Sequence, residues 1–366
     1  MRNLIIFPII ILLILIAGGF FVFKYWKTTT YEFPKKTLAE VARELMEIKK
    51  EEKVLIQEAL EKSSQIKGIY VGGGNRPAYF KNFLEQTELN GLVIDVKEVQ
   101  GSNLSPFLKN LVKELHQEDV WVIARIVVFR DSSLIEERPG WYLTATSSGS
   151  LWQDRLGHYW LDPKNQEVQD YIIEFSREAI DFGFDELQFD YIRYPVDGTS
   201  SEEKCKVIRE FYTKLSKALK NYRPSIILSV DLFGYVATQY QALEIGQCLE
   251  DAAQFFDYIS FMLYPSHFYG GFAAEDIYYS YPEVSEHPYQ VVYLSILSAS
   301  KYLSQLGSQA KIRPWLQDFD LRVDQERGVI YDEKEIRAQI QAAQNATSSG
   351  WLLWNPKILY TSSALK

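Results

Sequence analysis

The sequence predicts a single (β/α)8 TIM barrel, preceded by an N-terminal transmembrane helix and a helical spacer. From residue 66 onward, eight apolar runs of strand length alternate with amphipathic stretches of helical length. Such alternation is typical of a parallel sheet. Eight units in about 300 residues match the strand number and the size of this barrel class. An open, doubly wound sheet is the alternative, but Gly72-Gly73-Gly74 after the first run is not a Gly-x-Gly-x-x-Gly nucleotide loop.

The predicted strands and helices follow from these apolar patterns. The strands occupy residues 67–71, 91–97, 120–129, 184–193, 226–234, 258–264, 312–319 and 351–355. The clearest helices occupy residues 106–116, 165–182, 202–222, 288–306 and 333–347. The fourth strand cannot continue as a central strand past Pro195. Asp190 and Arg193 therefore lie near its C-terminal end, where the chemistry of a parallel barrel is located.

Residues 1–24 are predicted to be a transmembrane signal-anchor. Residues 4–23 are almost wholly apolar, and about 20 residues suffice to cross a bilayer core of roughly 30 Å. A cleaved signal peptide is an alternative, although the small residues at 17–19 form a poor cleavage site, and a buried helix is another. We expect a single-pass protein of the cell membrane with its barrel outside the cytoplasm, or a secreted protein if the signal is cleaved.

Residues 25–65 are predicted to be a linker and a spacer helix. Residues 35–62 are highly charged, and their apolar residues recur at steps of three, four and seven, which is a helical period. A short coiled coil is the alternative to a plain spacer. The barrel itself is expected to occupy residues 66–366.

Composition argues against several classes of function. The net charge is −9, and the long C-terminal portion has no basic stripe, which argues against nucleic acid as a partner. The four histidines show no zinc-like clustering, so we predict no metal and no cofactor. The two cysteines, Cys205 and Cys248, can form a disulfide only if the fold brings them together, and the sequence leaves this open.

Polar and aromatic side chains gather at the predicted strand ends. Besides a catalytic pair, the predicted substrate-binding residues are Asp95, Lys97, Arg125, Arg193, Tyr264, His267, Trp315, Gln317, Asp318, Trp354 and Asn355. Aromatic rings stack on sugar rings, and acids and amides bind sugar hydroxyls. This mixture predicts a polysaccharide or other glycan as the substrate.

Asp190 and Asp231, on the fourth and fifth strands, are the best-placed catalytic pair. Cleavage of a glycosidic bond needs one ionised and one protonated carboxyl group. We assign Asp190 as the nucleophile or charge stabiliser and Asp231 as the general acid/base. Arg125 or Arg193 would keep one carboxylate ionised. Three other acids remain rival partners of Asp190: Asp95, Glu98 and Asp318.

Several motifs carry a family resemblance. They are LVIDVK at residues 92–97, GFDELQFDYIRYP at 183–195, SVDLFG at 229–234, MLYPSH at 262–267, RPWLQ at 313–317 and WN at 354–355. In this order the chain resembles the "putative glycosyl hydrolase" domain of bacterial envelope proteins, formerly a domain of unknown function. The resemblance covers about residues 67–360 and implies a TIM-barrel glycosidase. It implies no particular substrate and no catalytic pair.

The sequence thus predicts a membrane-anchored O-glycoside hydrolase that cleaves an envelope or extracellular polysaccharide. The principal alternative is a non-catalytic carbohydrate-binding barrel in the cell envelope. A transferase or a deacetylase is a further alternative, although a deacetylase normally needs a metal cluster of His and Asp that the sequence does not show.

Overall fold

The computed structural model describes residues 37–145 and 149–366. Within these residues, eight parallel strands pair in sequence order, and the first strand pairs with both the second and the eighth. The strands are β1 Ile66–Tyr70, β2 Gly91–Glu98, β3 Trp121–Val127, β4 Glu186–Asp190, β5 Ile227–Phe233, β6 Tyr258–Leu263, β7 Trp315–Gln317 and β8 Gly350–Trp354. A short strand at Lys311–Ile312 also pairs with β6. The sheet is therefore closed, and the predicted (β/α)8 barrel is confirmed.

Helices connect these strands in the expected places. They are α1 Leu38–Lys62, α2 Pro77–Glu85, α3 Pro106–Gln117, α4 Gln166–Phe182, α5 Glu202–Tyr222, α6 Val236–Gln239, α7 Leu249–Ala252, α8 Pro288–Gln305, α9 Arg322–Gln325 and α10 Glu333–Asn345. Local chemistry sets their ends. The Asn165 side chain accepts hydrogen bonds from the first turn of α4, and Gly183, with φ of 106°, ends that helix. A left-handed φ of this kind favours glycine, so the chain turns there and enters β4.

The barrel has a core inside its lumen as well as one between strands and helices. Successive residues of a strand point to opposite faces, and alternate residues of these strands form a separate buried cluster. Its members are Ile66, Tyr70, Val93, Trp121, Ile123, Ile227, Tyr258, Tyr264, Trp315 and Leu352. Buried polar residues with the same alternation share the lumen with them: Asp95, Arg125, Glu186, Gln188, Asp190, Ser229, Asp231 and Ser260.

A buried ion pair closes the lumen at the N-terminal ends of the strands. Arg313 Nη1 lies 2.8 Å from Glu186 Oε2, and both side chains are fully buried. Trp121 Nε1 donates to the same carboxylate oxygen at 3.0 Å. Arg313 Nη2 donates to the backbone oxygen of Ser63 at 3.1 Å, and the Ser63 and Tyr258 hydroxyls are 2.9 Å apart. This network fills the N-terminal end of the lumen, so the luminal acids near the C-terminal strand ends face the opposite end of the barrel.

The N-terminal predictions are covered only partly by the described residues. The helix predicted within residues 35–62 is observed as α1, Leu38–Lys62. Its alternative, a short coiled coil, stays a prediction. The chain from Glu52 to Lys366 is one compact unit. The predicted transmembrane segment at residues 4–23 lies outside the described residues. Among residues 37–145 and 149–366, no helix is long and apolar enough to span a membrane.

Candidate functional site

An arginine between two acids occupies the centre of the barrel mouth. Arg125 on β3 donates to Asp190 Oδ2 from Nε at 3.1 Å and from Nη2 at 2.5 Å. Its Nη1 donates to Asp95 Oδ1 at 2.6 Å. All three side chains are buried. Burial by itself lowers the pKa of Arg125, but the charges of Asp95 and Asp190 raise it well above its usual value. The guanidinium therefore remains charged and compensates both carboxylates.

Two aromatic residues stand beside this network. The Tyr70 hydroxyl donates to Asp95 Oδ2 at 2.5 Å. The Tyr70 ring stacks on Trp354 with a centroid distance of 4.1 Å, and the Arg125 guanidinium lies 5.2 Å from the Trp354 ring. Trp354 is only partly buried, so it presents an aromatic surface to solvent next to the charged cluster.

Asp231 has a different environment from Asp190. It is 2% exposed, and its Oδ1 accepts a hydrogen bond from Trp315 Nε1 at 2.8 Å. Burial, and then the negative charge of Asp190, raise the pKa of Asp231 well above its usual value. Asp231 therefore resists ionisation more than an ordinary aspartate does.

The strand register brings the two acids together. β4 and β5 pair Phe189 with Val230, and Asp190 and Asp231 are the next residues of their strands. Tyr264 belongs to the buried luminal cluster together with Trp315, and burial, followed by the charges of Asp231 and Asp190, raises the pKa of its phenol. The predicted neighbours Asp190, Asp231, Arg125 and Tyr264 thus share one site.

Among the described residues, neither Lys97 nor Arg193 is hydrogen-bonded to Asp95, Asp190 or Asp231, although the charge of Asp190 acts on Arg193. Lys97 is fully buried, with its Nζ 2.6 Å from Asp131 Oδ2, so it pairs neither with Asp95 nor with a surface ligand. Burial lowers the pKa of both Lys97 and Arg193. Arg193 donates to the backbone oxygen of Tyr194 at 2.9 Å, and its guanidinium packs 5.0 Å from the Trp160 ring. Trp160 belongs to the long segment between β3 and α4, which therefore lies against the end of β4.

Three predicted binding residues fix loops instead of facing the acids. Gln317 is fully buried and donates to Ser266 Oγ at 2.7 Å. Asp318 accepts hydrogen bonds from the backbone nitrogen and the hydroxyl of Thr361, each at 3.0 Å. Burial raises the pKa of Asp318 to about 6. Asn355 donates to the backbone oxygens of Asp318 and Leu359. These bonds hold the loops after β7 and β8.

The remaining acid at the mouth is Glu98. Glu98 as a whole is exposed, but its carboxyl group is partly shielded from water; this partial burial, followed by the charge of Asp95, raises its pKa. Asn103 Nδ2 donates to Glu98 Oε2 at 3.3 Å. Glu98 therefore lies at the rim, beside Asp95, and remains a rival partner for Asp190.

Sequence reasoning missed two residues of this site. Tyr70 ends β1, and its role depends on contact with β2 and β8. Gln247 is 1% exposed and clamps the strand that carries Asp231. Its Oε1 accepts from the Phe233 nitrogen at 2.9 Å, and its Nε2 donates to the Asp231 backbone oxygen at 3.3 Å. An aromatic residue at the end of the first strand was the one available signal for Tyr70, and no local pattern marks Gln247.

The two cysteines form a disulfide. Cys205 on α5 is bonded to Cys248, with the Cα atoms 6.0 Å apart. Cys248 follows Gln247 directly, so the disulfide ties the Gln247 loop to α5. As for metals, residues 37–145 and 149–366 contain no group of three or more His, Cys, Asp or Glu side chains that could hold an ion.

Comparison with known proteins gives one family and a set of fold relatives. The profile of the family described as "Putative glycosyl hydrolase domain" matches residues 68–360. A search of curated proteins gave no match. A hypothetical protein from Ruminiclostridium thermocellum ATCC 27405 is 30% identical over 44% of this chain and 96% of its own, with a TM-score of 0.38.

Two similar solved structures share the barrel. The α-galactosidase TtGalA from Thermus thermophilus, in complex with stachyose, is 15% identical, with a TM-score of 0.52. The similarity covers 82% of this chain and 63% of that enzyme, so this chain spans less than two thirds of its length. Amy13B from Eubacterium rectale is 10% identical over 81% of this chain and 66% of its own, with a TM-score of 0.53. At such identities the likeness establishes the fold alone.

Proposed function

Because this chain belongs to the family of "putative glycosyl hydrolase" domains, we propose that its barrel hydrolyses glycosidic bonds of an envelope or extracellular polysaccharide with Asp190 and Asp231. The observation that carries the proposal is the contrast between these two acids on adjacent strands. Asp190 is paired with the Arg125 guanidinium, whereas burial raises the pKa of Asp231. Glycosidic cleavage needs one ionised and one protonated carboxyl group.

Asp231 is the general acid of this mechanism. The Trp315 indole N–H holds its Oδ1, so the proton resides on Oδ2. Asp231 donates that proton to the glycosidic oxygen while the bond to the anomeric carbon breaks. The oxygen of a water molecule then bonds to the anomeric carbon, directly or in place of Asp190, and a proton from that water restores the protonated site. A neutral carboxylic acid at working pH is what such proton transfer requires.

Asp190 is the nucleophile or charge stabiliser. Arg125 stabilises its negative charge through two hydrogen bonds to Oδ2, and the Tyr191 backbone nitrogen donates to Oδ1 at 2.6 Å. The carboxylate is thereby fixed where positive charge develops at the anomeric carbon. Asp95 acts through Arg125, since it holds the Nη1 end of the guanidinium. The Trp354 ring, backed by Tyr70, offers a stacking surface for a sugar.

The test is release of new reducing ends from a panel of bacterial wall and storage glycans by the full chain. Asp190→Asn and Asp231→Asn should each abolish release. Asp318→Asn is the matched control, because Asp318 is also a buried acid at a strand end, yet its oxygens bond Thr361. It should retain turnover, and circular dichroism should show that all three variants are folded.

Other outcomes select the rivals. If Asp190→Asn is inactive while Asp231→Asn still cleaves, Asp95 or Glu98 is the partner of Asp190. If nothing is cleaved but one glycan co-sediments with the protein, the non-catalytic carbohydrate-binding barrel replaces the hydrolase.

Residues 1–24 anchor the protein in the cell membrane in this proposal, with the barrel outside the cytoplasm. The Cys205–Cys248 disulfide supports an external barrel, because disulfides persist in oxidising compartments and are rare in the cytosol. Fractionation of intact cells, followed by protease treatment from outside, tests both points. Protection of the barrel from external protease, with both thiols free, would contradict this location.

A further inference from the structure

A small cavity opens next to the strand end that carries Asp231. Its volume is 230 Å³, and its lining residues are Phe233, Gly234, Tyr235, Met262, Tyr264, His267, Phe268 and Tyr269. Phe233 follows Asp231 by two residues on β5, and Tyr264 directly follows β6. Sites for whole small-molecule ligands measure about 300–1,000 Å³. The cavity is therefore of a size for one substituent of a sugar and not for an oligosaccharide.

The cavity lining is mostly aromatic and contains no Lys, Arg, Asp or Glu side chain. Its polar side-chain groups are the His267 imidazole and the hydroxyls of Tyr235, Tyr264 and Tyr269. The His267 ring contacts those of Tyr264, Tyr269 and Phe319, with centroid distances of 5.5, 5.7 and 5.2 Å. Within the described residues, neither imidazole nitrogen has a hydrogen-bond partner. Burial lowers the pKa of His267, so the ring is neutral at pH 7 and offers one N–H donor and one nitrogen acceptor.

Tyr264 joins the cavity to the carboxyl groups. It is 6% exposed, and in the described part of the chain its hydroxyl has no hydrogen-bond partner. The charges of Asp231 and Asp190 act on this phenol and, together with burial, raise its pKa. A sugar bound at Asp231 therefore has this cavity beside it, with the Tyr264 ring as the shared wall.

We propose that the cavity binds the N-acyl group of an amino sugar, so that the substrate is a polysaccharide containing N-acetylated amino sugars. A neutral imidazole can hydrogen-bond to one side of an amide, as a donor to its C=O or as an acceptor from its N–H, and the methyl group of an N-acetyl substituent packs on the aromatic wall. A sugar carboxylate would need a cation, and none of the eight lining residues is a lysine or an arginine. The inference names the substrate class of the proposed hydrolase and rests on that function.

The experiment is a chemical-shift titration of the full chain with three matched probes: methyl N-acetyl-β-glucosaminide, methyl β-glucoside and methyl β-glucosaminide. We expect the N-acetyl probe to bind about tenfold more tightly than the glucoside, the size expected for a hydrogen-bonded amide. His267→Phe keeps the ring contacts, loses both nitrogens and should abolish the preference. His267→Gln keeps a donor and an acceptor and should retain part of it. His287→Phe is the matched control, because His287 also stacks on a tyrosine, Tyr279, at 3.8 Å, but lies outside the cavity.

Equal affinity for the three probes, or a preference that survives in His267→Phe, would overturn the inference. The titration is repeated in Asp190→Asn, so its result does not depend on turnover. A preference that depends on His267 without cleavage of any glycan would leave the cavity assignment standing and refute the hydrolase. Cleavage of a glycan without this preference would support the hydrolase and refute the cavity assignment.

Discussion

Arg125→Met tests the charge arrangement on which the proposed mechanism depends. The substitution removes three hydrogen bonds, at 2.5, 2.6 and 3.1 Å, from the buried carboxylates of Asp190 and Asp95. Removing one partner of a buried ion pair typically costs about 3–5 kcal/mol, because a charge is left without compensation. We expect a loss of that size in the unfolding free energy at pH 8.

The loss should depend on pH in a defined direction. In the variant, Asp190 and Asp95 take up protons more readily, and protonation removes the uncompensated charge, so the loss should be smaller at pH 5 than at pH 8. Urea unfolding at the two pH values measures this difference. Because Asp190 must be ionised to act, the acid limb of the pH–activity profile should move to higher pH. Arg125→Lys keeps the positive charge but not the forked geometry of the guanidinium. Its stability and its acid limb should therefore lie between those of the wild type and those of Arg125→Met.

Arg130→Met is the control for this prediction. Arg130 Nε pairs with Asp154 Oδ2 at 2.8 Å, and its Nη1 donates to the Tyr191 hydroxyl at 3.3 Å, so its ion pair does not involve Asp190 or Asp95. Arg130→Met should lower the unfolding free energy by less than Arg125→Met does, and it should leave the acid limb of the pH–activity profile unchanged. Equal stability losses in Arg125→Met and Arg130→Met, together with an unmoved acid limb, would refute the reasoning.

Three further predictions concern Asp231 and its support. Asp231→Asn should lower turnover by about 10²–10⁴-fold. Because the pKa of Asp231 is raised, the wild type loses stability as pH rises through that pKa, so the difference in unfolding free energy between pH 4 and pH 8 should be smaller in the variant. Gln247→Leu removes the side-chain partner of two backbone groups, which should cost about 1–3 kcal/mol and lower kcat more than it raises KM. Gln254→Leu, in the exposed turn after α7, should do neither. Replacing both Cys205 and Cys248 with serine opens a 43-residue loop and should cost about 4 kcal/mol by the chain-entropy relation, and wild-type stability in urea should drop equally when reductant is added.

Much of the fold was predictable because its signals are local. The apolar runs and capping residues lie within each element, so the predicted ends of helices such as 202–222 and 333–347 agree with the observed ones to within two residues. The placement of Asp190 and Asp231 was equally local. Each is an acid near the end of a buried strand, and consecutive strands of a parallel barrel are neighbours.

The orientation of polar side chains at the mouth was harder to predict. Asp318 and Asn355 follow the same strand-end rule as Asp190, yet their hydrogen bonds go to loop atoms. A strand's alternation fixes the face of a side chain only while the strand lasts. Beyond the ends of β7 and β8, the conformation of the turn sets the direction of each side chain. For Asp318 that conformation depends on contacts with Thr361, which no local sequence pattern indicates.

Sequence periodicity alone was thus sufficient for the barrel, its eight strands and the adjacent placement of two acids. Only the tertiary structure decided that Arg125 is the arginine hydrogen-bonded to Asp190, and that Tyr70 and Gln247 belong to the site. The physical reason is distance along the chain. Spacing within a strand is set by backbone geometry, whereas the partner of a buried charge is set by which distant strands closure brings across the lumen, as Arg313 and Glu186, 127 residues apart, illustrate.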